Sequence, residues 1–318
     1  MPTLPDQASD EPISVLMPVR NGARHLTQSL GDILSSIRLN DEVLVIDDGS
    51  QDDTPTLLAT LQEQDARLRV IRLPPTGLVG ALNVGILESA HEWIARADAD
   101  DRYPASRFDA QRRARRPGRV LIAGDYSIVG LSGPLGTIPC ALGHPFVALS
   151  VLHPQRIPHP GVMLSRMATL EAGAYVPAEF PAEDLGLWLR LMTMGEFVGG
   201  PVSVVEWHLA PGTTSATRQE TQRAITGHLL SMFPDSVVRS VSEEAIHNEL
   251  GLYANAQMQG ERTVLLLRDL ITARSRGANI PRGLLARIAA AGPVRNLAAT
   301  GVLAVEMLKR RRWRLAAR

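Results

Sequence analysis

A single cysteine, Cys140, stands in the 318 residues. One thiol excludes an internal disulfide framework and any metal site built from several cysteines, and it fits a reducing, cytoplasmic compartment. Net charge is also missing: 33 Lys and Arg balance 33 Asp and Glu, which argues against a general nucleic-acid binder. No stretch of the length needed to cross a bilayer, about 20 residues, is both apolar and free of charge; the nearest, Leu284 to Leu308, is broken by Arg287, Pro293 and Arg295. Met1 to Glu11 is polar and proline-containing, without the basic start and apolar core of a secretory signal, and reads as a flexible N-terminus. Internal repeats and low-complexity tracts are lacking too. What remains, 45% hydrophobic and 21% charged, is the composition of a soluble globular chain long enough for one α/β domain with an extension, or for two small domains.

The first hundred residues alternate regularly. Ile13 to Met17 is an apolar run read as a buried strand ended by Pro18. Leu26, Leu30, Ile33, Leu34 and Ile37 then recur at helical spacing. Glu42 to Ile46 reads as a second strand stopped by Asp47-Asp48-Gly49-Ser50, Thr54 to Leu61 as a helix, and Leu68 to Leu73 as a third strand. A helix from Leu78 to Ala90 leads to a fourth strand at Trp93 to Ala95, which runs into Asp98-Ala99-Asp100-Asp101. Strand and helix alternating at this rhythm predict a Rossmann-like, mainly parallel sheet flanked by helices. The middle third is less regular, with strands expected at Val120–Ala123, Ser127–Leu131, Gly161–Leu164 and Val202–Trp207. Leu185, Trp188, Leu189 and Met192 mark a helix stripe between Glu183 and Met194. From Arg218 onward the pattern is helical.

Open parallel sheets bind ligands at the carboxyl ends of their strands, and acids cluster there. Asp47-Asp48-Gly49-Ser50 taken alone reads as a turn with an N-cap for the next helix. Asp98-x-Asp100 suits a hard divalent cation, which takes one or two carboxylates and leaves room for phosphates; the bland alternative is a solvated acidic turn. Glu183-Asp184 opens a helix, where acids favour the helix dipole without any function. Asp184 is also placed as a general base aimed into a cleft.

In this order the motifs resemble the donor half of family-2 glycosyltransferases, which have the GT-A fold. The resemblance is carried by Ile13-Ser14-Val15-Leu16-Met17-Pro18-Val19-Arg20-Asn21, by Val45-Ile46-Asp47-Asp48-Gly49-Ser50-x-Asp52-x-Thr54, by Gly77-Leu78-x-x-Ala81-Leu82-Asn83-x-Gly85-Ile86, and by Ile94 to Asp101. His159-Pro160-Gly161-Val162-Met163, Gly173-Ala174-Tyr175 and Ala182-Glu183-Asp184-Leu185 continue it, over residues 12 to 215 in all. The resemblance implies an inverting transfer of a hexose from a UDP- or dTDP-linked sugar to a glycan or lipid-linked acceptor, with Mn²⁺ or Mg²⁺. It implies that Pro18, Arg20, Asn21, Asp48, Gly77, Asn83, Asp98 and Glu183 line the donor. Asp48 would accept from the pyrimidine base, and Asp98 would face the donor ribose or sugar. Asp100 and His208 would serve the metal, and Asp184 would be the base. Two departures stand out. Arg20 either stacks on the base or pairs with Asp48, and the segment from Asp101 to Pro104 is short against the commoner pattern.

The expected organisation is a catalytic domain over 12–215, its donor half 12–103 and its acceptor half 104–215, followed by a helical extension over 216–318. From Pro281 to Arg318 nine Lys and Arg face one acid, Glu306. Lys309-Arg310-Arg311-Arg312-Trp313-Arg314 reads either as a contact with an anionic membrane surface or as a solvated basic helix. Two other classes compete: a sugar-nucleotide binding protein without catalysis, which predicts a damaged base or metal position, and a nucleotidyltransferase. The latter would show a glycine- and lysine-rich phosphate loop, and Pro18 to Gly22 is none.

Overall fold

The computed structural model describes residues 10–130, 133–153, 157–208, 219–253, 259–281, 283–285 and 288. Within them the chain divides into two compact units, 1–235 and 236–318.

In the first unit, β1 (Ile13–Val19), β2 (Glu42–Asp48), β3 (Leu68–Leu73) and β4 (Trp93–Arg96) alternate with helices α1 (Ala23–Ser36), α2 (Thr54–Gln64) and α3 (Gly77–Glu88). The four strands run parallel, with β1 between β2 and β4. Burial on both faces explains their continuous apolar runs. Val15, Met17, Val43 and Val45 share one core cluster with Leu26, Leu30 and Ile33 of α1 and Leu58 of α2. Each such side chain contributes about 1.5–3 kcal/mol on burial. Leu16 and Leu44 are buried as well, and α3 lies against β1 and β2.

β1 does not stop at Pro18, as the sequence suggested; it runs through it to Val19. The Leu16 carbonyl accepts from Ala97 N–H, and the ladder between β1 and β4 ends at Leu16 paired with Arg96. Strand alternation turns Pro18 toward that same side, just past the last pair, so its missing N–H leaves no bond unmade.

The sheet continues as β3-β2-β1-β4-β8-β5-β9 through β5 (Arg119–Ile122), β8 (Met163–Ser165) and β9 (Glu196–Val198), with β8 antiparallel to β4 and β5. A smaller sheet, β10-β6-β7, consists of β6 (Asp125–Gly130), β7 (Gly133–Ile138) and β10 (Ser203–His208). Helices α4 (Arg107–Arg113), α5 (Phe146–Ser150), α6 (Arg166–Glu171) and α7 (Glu183–Leu191) complete the layers. Strands β7 and β9 and helices α4 and α5 carry no period long enough to read from the sequence. The strand expected over Gly161–Leu164 begins only at Met163, after a tight 3-10 turn over His159–Gly161. At the edge away from the strand ends, Asp41 and Arg112 form an ion pair with no solvent exposure on either side chain, and Asp41 also accepts from Ile13 N–H.

The second unit is helical in its described residues, with helices over Glu243–Tyr253 and Gln259–Ser275 and a buried set including Ile246, Leu266, Leu267 and Leu270. The basic segment 309–314 lies outside the described residues.

Candidate active site

The loops that leave β1 and β2 are locked together at the carboxyl edge. Asn21, in the left-handed region at φ 54, donates its N–H to Ser50 Oγ at 2.9 Å and accepts Gln51 N–H on Oδ1 at 2.8 Å. Gly22 N–H reaches Thr54 Oγ1, and Ala23 N–H reaches Asp52. Between them Gly49 turns at φ 70, and a Cβ there would press on the Pro75 ring, so the glycine is required by both conformation and space.

Asp48 ends β2, buried, with its carboxylate on the first turn of α3. Oδ1 accepts Thr76 N–H at 2.5 Å and the Thr76 hydroxyl at 2.9 Å, and Oδ2 accepts Gly77 N–H at 3.0 Å. This caps a helix whose own N-cap residue, Thr76, makes no side-chain capping bond to the helix backbone. Gly77 permits the turn at φ 82. Arg20 stands exposed, with Nη1 4.0 Å from Asp48 Oδ2. Asn83 spends its amide on Tyr175: it donates to the Tyr175 carbonyl at 2.8 Å and accepts Tyr175 N–H at 3.0 Å.

The acids after β4 converge. One carboxylate oxygen from each of Asp98, Asp100 and Asp101 lies within 4.8 Å of the others, the one such group among the described residues. Asp101 belongs to the acidic run named in the sequence but carries no role there, and neighbours in an extended chain point apart. The turn at Ala99–Asp100 brings it round. Its Oδ1 accepts His208 N–H at 2.9 Å, while Oδ2 is buried without a hydrogen-bond partner. Burial, and then the Asp98 charge, push the Asp101 carboxyl up to about 8, and loss of solvent with the same charge raises Asp100. An orphaned oxygen and three mutually repelling hard oxygens fit a divalent cation such as Mn²⁺ or Mg²⁺. His208 meets this group through its backbone; its ring is outside the carboxylate trio, with Nε2 buried and unbonded.

Beneath the trio lies Arg96, which the sequence did not single out: it reads as one polar residue at the end of an apolar strand. It is 3% exposed, and its Nη1 is 2.5 Å from Asp98 Oδ2. Against the penalty of burial, the Asp98 charge and hydrogen bond hold the guanidinium above its ordinary range, so it stays charged. That one cation also lowers the carboxyl pKa values of Glu183 and Asp184, at the start of α7. Burial and the Asp184 charge push Glu183 up to about 7, and burial raises Asp184. Glu183 is buried with Oε2 unbonded, while Asp184 is more accessible and accepts Leu185 N–H on Oδ1.

The wall between these groups is fixed. Arg190 of α7 bonds Glu179 and the carbonyls of Ala172 and Ala174, which anchors the segment leading to Tyr175. The Tyr175 hydroxyl sits 2.7 Å from His159 Nε2. Burial raises the phenol and, helped by Arg96, holds the imidazole well below its usual value. The bond therefore joins a protonated phenol and a neutral ring.

Residues 14–119 match the family model for glycosyl transferase family 2. A glycosyltransferase of Haemophilus influenzae is 25% identical over 215 residues, 64% of this chain and 79% of that protein. Glycosyltransferase GlyG of Streptococcus pneumoniae is 34% identical over 92 residues, 29% of this chain and 31% of its own length. The match to a Rickettsia conorii glycosyltransferase spans 17% of that longer protein. Among solved structures, S. aureus TarS in complex with UDP-GlcNAc aligns with TM-score 0.58 at 14% identity over 83% of this chain and 82% of that one. The mannosyltransferase PcManGT of Pyrobaculum calidifontis, in complex with GDP-Man and Mn²⁺, aligns with TM-score 0.54 at 18% identity over 93% and 79%. These likenesses show a shared GT-A-type fold.

Proposed function

Starting from a chain that belongs to glycosyl transferase family 2, we propose that it transfers a hexose from a UDP- or dTDP-linked sugar to a hydroxyl of a glycan or lipid-linked acceptor, inverting the anomeric centre, in cell-surface polysaccharide or O-antigen type synthesis. The observation that carries the reading is the meeting of two acid groups around one buried cation: the Asp98–Asp101 trio at the end of β4 and Glu183-Asp184 at the start of α7.

Asp100, with Asp98 and Asp101, would hold the divalent cation, which when bound offsets negative charge on the departing diphosphate. Arg96 holds Oδ2 of Asp98. His208 steadies Asp101 through its backbone N–H. Asp48, Pro18, Arg20, Asn21 and Gly77 form the floor and rim on which the nucleotide base rests. Asn83 acts at one remove, by holding Tyr175 in the wall beside the acid pair. Asp184 takes the acceptor hydroxyl proton as that oxygen bonds the anomeric carbon; the carbon–oxygen bond to phosphate breaks and its electron pair leaves with the diphosphate. The fixed lining of neutral His159, protonated Tyr175 and Arg96 needs little reorganisation as that charge develops.

A donor panel tests the reading. With Mn²⁺ or Mg²⁺ present, slow hydrolysis to free nucleoside diphosphate is expected from a UDP- or dTDP-hexose. A panel with no turnover or binding of any pyrimidine-diphosphate sugar overturns the pyrimidine assignment, and turnover of GDP-Man alone replaces it with a purine donor. The neighbours' own ligands, UDP-GlcNAc and GDP-Man, set the two ends of that panel.

The basic segment 309–314 suits an anionic bilayer carrying a lipid-linked acceptor, each cation near the surface adding about 1 kcal/mol. Vesicle flotation of the chain with and without residues 309–318 is expected to differ. Equal flotation of both sinks the membrane contact.

A further inference from the structure

The carboxylate loop stores repulsion, since three acids within 4.8 Å of one another separate unless something holds the backbone that bears them. Two sets of restraints lie next to the acids, one from β10 and one from Tyr103. Arg102 and Glu206 exchange backbone hydrogen bonds at 3.2 and 2.9 Å, and His208 N–H holds Asp101. Tyr103, whose ring is buried, turns its hydroxyl back onto the loop, where it accepts Asp98 N–H at 2.5 Å and donates to the Asp98 carbonyl at 3.0 Å.

The third restraint comes from a different element. Asp32 sits on α1, one residue before the fully buried Ile33 and two after Leu30, so its backbone is fixed by the core. Its Oδ2 takes Arg102 Nε at 2.5 Å and Tyr103 N–H at 3.2 Å, and its Oδ1 takes Arg102 Nη2 at 3.0 Å. One carboxylate thus grips two consecutive residues, of which one follows Asp101 directly and the other closes on Asp98. Bidentate pairing of this kind fixes direction as well as distance. In the sequence Asp32 is an acid midway along an amphipathic helix, indistinguishable from a solvated surface residue.

We propose that Asp32 is a positioning residue that sets the cation affinity of the Asp98–Asp101 loop through Arg102 and Tyr103. The proposal rests on the trio being the cation site. Without Asp32 the loop relaxes toward conformations with the three acids further apart, and binding must first draw them together again. A saturating cation does that work itself, so affinity suffers and the catalytic step does not.

The test follows free Mn²⁺ by its aqueous EPR signal during titration of the full chain. The wild-type chain, Asp32→Ala, Arg102→Ala, the double variant and Asp100→Asn are compared, with thermal unfolding alongside. Asp32→Ala and Arg102→Ala are each expected to weaken Mn²⁺ binding about 10–100-fold, as loss of a residue that orients a metal ligand commonly does. The double variant is expected to bind about as weakly as Asp32→Ala alone, since Arg102 acts through that carboxylate. Transfer by Asp32→Ala should regain the wild-type kcat at saturating Mn²⁺. If Asp32→Ala fails to fold, Asp32→Asn, which keeps the volume and loses the charge, carries the same expectation. Unchanged Mn²⁺ affinity in a folded variant, or full additivity in the double variant, overturns the role of Asp32. A wild-type chain that binds no Mn²⁺, or an Asp100→Asn chain that binds it normally, overturns the cation site beneath it, and the two failures are told apart by those controls.

Discussion

Replacing Asp184 by asparagine is expected to lower kcat for sugar transfer by about 10²–10⁴-fold, the usual contribution of a positioned base, while donor affinity stays close to wild type. Asparagine keeps the shape and the acceptor for Leu185 N–H but cannot take a proton. The neighbouring Glu183 is the needed control, because both carboxyls lie on the first turn of α7 and both are raised. A base works only when ionised, so raised acids move the acid limb of the kcat–pH profile upward, from the ordinary carboxylate range toward the value of about 7 to which Glu183 is pushed. Glu183→Gln mimics the protonated acid that stands beside an ionised Asp184, and should retain transfer. A kcat–pH series on the two variants decides the matter. Wild-type kcat in Asp184→Asn takes the base role from Asp184, and loss of transfer only in Glu183→Gln gives it to Glu183.

Asp100→Asn is the second large effect. A cation at the leaving diphosphate supplies several kcal/mol of charge stabilisation, and at about 1.4 kcal/mol per tenfold its loss corresponds to a fall in kcat of roughly 10²–10³-fold. Chelation of the wild-type chain should match this fall and added Mn²⁺ should reverse it, whereas Asp100→Asn should respond weakly to added metal. Asp101→Asn should behave similarly, because it removes the buried, unbonded oxygen that completes the trio. Retention of wild-type kcat and metal dependence by Asp100→Asn would remove the trio from the metal site. Measuring kcat across a Mn²⁺ titration separates that outcome from mere loss of affinity.

The long-range pattern of the donor half was legible in the sequence. Strands buried on both faces must be continuous apolar runs, as at Ile13–Met17 and Glu42–Ile46, and the chain must change character sharply where they reach the sheet edge. Acids just past those ends, Asp48, Asp98 and Asp100, are therefore placed by local rules alone, as is the helix that presents Glu183 and Asp184. Tertiary structure decided how those acids are used. Asp48 faces the first turn of α3 because Thr76 and Gly77, 28 and 29 residues away, point donors at it. Asp101 joins the trio because a turn defeats strand alternation and His208, 107 residues on, holds it there. Arg96, paired with Asp98 two residues on, also becomes a counter-charge to the acids of α7 because the fold brings that helix near it, and Asp32 grips a loop 70 residues further along. The period of a strand or helix is written in neighbouring residues, and so the sequence alone determines it. A charge takes its meaning from whatever the fold sets beside it, and in this protein those partners come from distant elements that no local pattern connects.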